Sequence, residues 1–135
     1  MVENTVLKEQ LTGEMIEAGA KLIQDLDEQG VVFPVAVWYF LSERNQWQLV
    51  FASPLVRSMG SRGFYEKISE ARKALGVLAD ALPLFSTRVM DTSDRLPKNL
   101  LTGLHTGPGL SRIRLSREVI DRHFIDDALV YRIAG

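Results

Sequence analysis

The sequence predicts an α+β fold, with a mainly antiparallel sheet of about five strands, an N-terminal helix and two further helices. The expected order is α-β-β-α-β-α-β-β. Residues 6–29 carry apolar side chains at helical spacing, which sets the first helix. Two strand-like runs, 31–41 and 47–53, flank a polar break short enough to make them antiparallel neighbours. A second pair of strand-like runs lies within 110–133. Consecutive strands at both ends do not fit a regularly alternating βαβ plan, and α+β is the class that accommodates them.

In the first helix Leu7, Leu11, Met15, Ala18, Leu22 and Leu26 recur every three or four residues and so share one face. Glu9, Glu14, Glu17, Lys21, Asp25 and Glu28 hold much of the other, and Gly30 supplies the stop. Gly19 falls inside the apolar stripe, where its missing Cβ permits a close backbone approach. Pro34 has no N–H to donate, so regular strand begins after it or the strand lies at an edge. In the second strand Trp47, Leu49 and Phe51 alternate with Gln48, Val50 and Ala52; in the first, Trp38 and Phe40 oppose Tyr39.

Pro54 closes this hairpin, and residues 55–62 read as a loop. A second helix starts near Gly63, with Phe64, Ile68, Ala71 and Leu75 as its stripe and either Gly76 or Ala81 as its limit. Residues 84–90 read as a third strand. Asp91, Thr92, Ser93 and Asp94 offer N-caps for a short third helix, with Pro97 in its first turn and Leu100, Leu101 and Leu104 facing inward. Thr106-Gly107-Pro108-Gly109 is a stop, with Gly107 as a left-handed C-cap. Residues 110–115 alternate as a half-exposed strand, and 116–122 fit no one element. Residues 124–133 make the last strand, with Leu129, Tyr131 and Ile133 on one face.

At 135 residues, 46% hydrophobic and 24% charged, the chain has the size and balance of one globular domain, residues 1–135. The absence of Cys excludes disulfides, thiolate metal sites and a cysteine nucleophile. Met1-Val2-Glu3-Asn4 is acidic and no apolar run follows, so no secretory signal is expected. The longest apolar run, 31–41, is far short of a membrane span. The expected location is cytoplasmic, away from membranes.

The net charge of −1 conceals a gradient. Residues 1–30 hold two Lys and seven Asp or Glu, whereas 31–87 and 88–135 each carry a net +2. Eleven Arg outnumber five Lys, and Arg makes bidentate, planar contacts to carboxylate or phosphate. The excess admits an anion or nucleic-acid surface in the C-terminal half. A pI of about 6.1 instead favours pairing of these Arg with the acidic first helix or with nearby Asp, since dedicated nucleic-acid domains are far more basic.

Gly107, Gly109, Ser111, Arg112 and Arg114 are the candidate ligand-binding residues. Glycines around Pro108 let backbone N–H groups approach an anion, and Ser111 and Arg112 add donors. The stretch lacks the GKS or GKT of a phosphate loop, and a strand follows where a helix is needed. A plain chain reversal asks for the same residues. Arg112, Arg114 and Arg117 suit a row of phosphate contacts, or a solvated strand that resists edge pairing.

His105 and His123 have no metal-ligand spacing, and a site from His105, His123 and Asp126 needs distant segments to converge. Asp91, Asp94, Asp126 and Asp127 offer carboxylates for a divalent ion, although the first two are explained as caps. No catalytic residue, metal or cofactor is assigned. Trp38, Tyr39, Phe40, Trp47 and Phe51 crowd one hairpin. If helices cover one sheet face, large apolar side chains on the other mark a partner surface or ligand groove.

Trp38-Tyr39-Phe40-Leu41, the run from Trp47 to Val56, Thr106-Gly107-Pro108-Gly109 and the run from Asp127 to Ile133 resemble a group of small bacterial cytosolic proteins with no assigned activity. The resemblance covers most of the chain from about Gly30 onward. It implies a bacterial cytosolic origin and one compact domain, and it transfers no functional residue.

The leading expectation is a non-enzymatic binding or regulatory module that acts through a protein partner or through self-association, a homodimer included. The alternative is a phosphate-ligand or nucleic-acid binder using the 107–109 turn and the nearby arginines. A metal-dependent hydrolase built on His123, Asp126 and Asp127 comes third.

Overall fold

Thr12 begins the first helix in the computed structural model, which describes residues 7–134. Its hydroxyl accepts from the Met15 amide at 3.2 Å, satisfying a first-turn donor, and α1 runs over Gly13–Glu28. The expected start at residue 6, and the reading of residues 1–4, lie outside the described residues. Leu7 and Leu11 fit the helical spacing yet stay out of the helix. Residues 7–11 instead form an extended strap held by side chains of the first hairpin. Asn45 accepts from the Glu9 amide and donates to the Leu7 carbonyl, and Trp47 Nε1 donates to the Glu9 carbonyl at 2.9 Å.

The hairpin follows the predicted alternation. Strands β1 (Val35–Leu41) and β2 (Gln46–Ala52) pair antiparallel, with Tyr39 opposite Gln48 and Phe40 opposite Trp47. Helix α2 (Leu55–Lys73) follows, where a loop was expected over 55–62. Ser53 Oγ accepts the Leu55 amide just past Pro54, which lets helix begin at once. Gly60, at φ 77°, then kinks it.

Two short 3-10 helices, Gly76–Ala81 and Leu84–Ser86, replace the expected helix extension and the first half of the expected third strand. They add to the expected helix count. Strand β3 is confined to Thr87–Met90, followed by α3 (Arg95–Gly103), β4 (Ile113–Ile120) and β5 (His123–Ile133). The sheet order is β3-β2-β1-β5-β4, and β2 and β3 run parallel while the other neighbours are antiparallel. The fold is therefore α+β, and the sheet is mixed.

Two apolar layers sandwich it. Helices α1 and α2 cover Ala36, Trp38, Phe40, Trp47, Leu49 and Phe51 with Leu22, Ile23, Leu26, Phe64 and Ile68. The opposite layer holds Val35, Val37, Val50, Ala52, Val130 and Ile133 beneath Leu100 of α3. The aromatic side chains that made the hairpin suspect as a partner surface are thus mostly internal. Each such burial contributes roughly 1.5–3 kcal/mol. Among the described residues no helix is long and apolar enough to cross a membrane.

Strict alternation fails once in β5 and once in β4. Arg132 faces Ala36 and Val130 faces Val37, so Tyr131 is an extra residue without a β1 partner. The bulge sends both Tyr131 and Arg132 toward α1, where they reach Ile16 and Asp27, and returns Ile133 to the α3 layer. The expected shared face of Leu129, Tyr131 and Ile133 is corrected accordingly. Further along, Arg117 adopts φ 52° and drops out of the β4–β5 ladder. Leu115 and Ile120 then both pack on the α3 layer although they are five residues apart.

Candidate functional site

The glycine-containing turn is stitched to the end of β5. The Thr106 amide donates to the Ile133 carbonyl at 2.8 Å, and the Thr106 hydroxyl accepts the Ile133 amide at 2.9 Å. The Ser111 amide donates to the Tyr131 carbonyl at 2.8 Å, and Arg132 Nε reaches the Gly109 carbonyl at 3.3 Å. Helix α3 has already ended at Gly103, so Gly107 is no helix cap. Its φ of 88° instead turns the chain onto the β5 terminus, where it bridges to Ile133.

The candidate arginines each meet a carboxylate. Arg112 Nη1 donates to Glu17 of α1 at 2.8 Å, a bond that lowers the Glu17 pKa. Arg114 grips Asp127 bidentately at 2.6 and 2.8 Å, and Lys8 Nζ from the strap adds a third contact at 2.6 Å. Asp127 is buried, which on its own raises its pKa. The hydrogen bonds from Arg114 and Lys8 outweigh that burial and leave it lowered. Lys8 also lies 4.6 Å from the Phe40 ring centroid, and Arg114 lies 5.3 Å from that of Trp47. Arg117, left-handed and outside the ladder, continues no row with them.

Asp126 acts on Tyr39 at the His123 end, whereas His105 and Asp127 lie elsewhere. His105 is exposed after α3, while His123 Nε2 sits 3.0 Å from the Tyr39 hydroxyl on the α3 side of the sheet. Asp127 belongs to the Lys8–Arg114 cluster on the other side. Among the described residues no group of three His, Asp or Glu is placed to hold a metal ion.

What remains uncommitted is the outer margin of β4. Among the described residues it is the last strand of the sheet, and no described strand faces the outer side of its backbone. Asp121 and Arg122, at φ 47° and 65°, make the tight turn into β5, and Val119 stands opposite Phe124 just before it. Gly103 closes the α3 side of this turn: a Cβ there would lie 2.5 Å from Ile120 Cγ2. Val119 and Phe124 stay 64% and 56% exposed, and Ile113 at the far end of β4 is also exposed. Sequence alternation pointed to the Arg residues of this strand and missed its apolar ones. The left-handed Arg117 inverts which side chains face out, and nothing local in the sequence announces it.

Comparison of the chain with known protein families, with curated proteins and with solved structures gave no match.

Proposed function

We propose that the protein is a non-enzymatic interaction module that self-associates through the outer edge of β4 and the apolar end of the β4–β5 hairpin. The exposed Val119–Phe124 pair, beside a strand edge that no described strand pairs, is the observation that supports this reading. A free edge offers a row of backbone donors and acceptors, and charged side chains are the usual guard against pairing. Here Arg114 is folded onto Asp127, and Arg117 and Glu118 carry opposite signs. A second copy related by a two-fold axis presents the same edge and the same apolar pair, which is how a closed dimer uses one surface twice.

The phosphate-ligand or nucleic-acid alternative has less support. A phosphate at the 107–109 turn competes with Glu17 for Arg112 and with Asp127 for Arg114. The test is a double variant, Val119→Glu with Phe124→Glu, measured by light scattering and thermal melting. Loss of the dimer at an unchanged melting temperature supports the reading. A dimer that persists in the variant removes it.

A further inference from the structure

Helix α3 has nine residues, too few to roof the whole sheet face beneath it. It packs on β5 and β4, with Leu100 in the same apolar layer as Val35 and Val37, and leaves a groove of about 190 Å³ at the hairpin end. The registers put Tyr39 beside Gln48, and Val50 beside Arg88, so β1, β2 and β3 each send side chains into this groove. Met90 and, from α3, Leu96 complete its apolar floor and wall, and His123 of β5 closes one end.

The polar groups there are unequal in charge. Burial, with Asp126 and Glu43, raises the Tyr39 pKa, and burial with Arg95 lowers that of His123. The hydrogen-bonded Tyr39–His123 pair is therefore uncharged near neutrality. Gln48 is buried and neutral. Arg88 is the groove's charged group, with Arg95 close to His123, and among the described residues neither makes an ion pair. Asp126 and Glu43 act at the tyrosine end and disfavour an anion there.

We propose that this groove binds a small monocarboxylate with an apolar body, its carboxylate on Arg88 and Gln48 and a neutral polar end on the Tyr39–His123 pair. The apolar body lies over Val50, Met90 and Leu96. The space equals roughly six water volumes, so the ligand is of small-metabolite size and smaller than a nucleotide. A convergent set of one cation and two neutral hydrogen-bonding stations in an apolar cleft selects for a single charge at a fixed distance from a hydroxyl or carbonyl. His123 adjoins Phe124 in β5, but the groove's other residues come from β1, β2, β3 and α3, away from the β4 edge, and the site does not depend on self-association.

The probe is 4-hydroxybenzoate, with 4-hydroxybenzyl alcohol as the uncharged control, titrated into the full chain by amide-resolved NMR. Saturable shifts centred on Tyr39, Gln48, Arg88 and Met90, at least tenfold weaker for the alcohol and for Arg88→Gln, support the site. Leu96→Trp, which fills the groove, is expected to abolish them while the rest of the spectrum is retained. No shift at these residues at millimolar 4-hydroxybenzoate overturns the proposal. Equal binding of acid and alcohol, or undiminished binding by Arg88→Gln, overturns it as well.

Discussion

Trp38 Nε1 donates to the Tyr131 hydroxyl at 3.0 Å inside the core, and the same hydroxyl donates to the Ile16 carbonyl of α1 at 2.6 Å. Two strands and a helix are thereby locked through one buried oxygen. Burial pushes the Tyr131 phenol well above its ordinary pKa, so it remains a donor at any ordinary pH. Arg132, the next residue, grips Asp27 at 2.9 and 2.7 Å near the other end of the same helix. The bulge at Tyr131 is what lets two consecutive residues serve α1 together.

Tyr131→Phe removes the acceptor of Trp38 Nε1 without removing the ring. The expected cost is about 1–3 kcal/mol of folding stability, because a buried donor loses its partner. Urea unfolding of the two proteins measures it, and equal midpoints would contradict the role given to this hydroxyl.

Gly19 of α1 sits directly above that hydrogen bond. A Cβ at this position would lie 2.6 Å from the Tyr131 hydroxyl and 2.9 Å from Trp38 Nε1, closer than side-chain atoms tolerate. Gly19→Ala ordinarily strengthens a helix by up to about 1 kcal/mol. Here it is expected to destabilise by about 1–3 kcal/mol, the usual cost of overpacking, with a lower melting temperature. A stabilised variant would mean that α1 does not approach the sheet this closely.

Much of this was legible in the sequence, for physical reasons. The β1–β2 hairpin obeys the period-2 rule because both its faces are buried by regular layers, and Gly19 was marked by its place within an apolar stripe. The strap over 7–11 was not legible, since the Glu9 amide is accepted by Asn45 and the Glu9 carbonyl is capped by Trp47 Nε1, both more than thirty residues away. Nor was the Lys8–Asp127 contact, which spans 119 positions. At the candidate site the sequence marked Arg112 and Arg114, but only coordinates pair them with Glu17 and Asp127. The left-handed Arg117 and the bulge at Tyr131 are set by tertiary packing, and each inverts the alternation on which a face assignment rests.

Asp127 ties the strap to β4 and β5, and its lowered pKa fixes the sign of a pH effect. A carboxyl with a depressed folded pKa stabilises fully above its unfolded value, about 3.9, and loses that contribution as pH falls through the folded value. Lys8 and Arg114 are half-exposed, which limits the loss in Asp127→Asn to about 1–2 kcal/mol near neutrality. The stability gap between wild type and variant should close as the pH drops below about 3.9. A gap independent of pH would contradict the ionised pairing.

His123 titrates in the opposite sense to a surface histidine beside an acid. Burial first, and Arg95 second, disfavour its cation, while Tyr39, near Asp126, holds its Nε2. Its pKa by NMR is expected below the ordinary value of about 6.5. Because the unfolded chain then binds the proton more readily, folding stability falls as the pH drops below that value, and His123→Gln flattens the slope. A pKa at or above 6.5 would contradict the buried Tyr39–His123 pair.

The association proposed for the β4 edge is tested most directly by sedimentation equilibrium of the wild-type chain from low to high micromolar concentration. The expected result is a concentration-dependent rise from 15.2 kDa toward twice that mass, with no larger species. A mass that stays at 15.2 kDa throughout would contradict it.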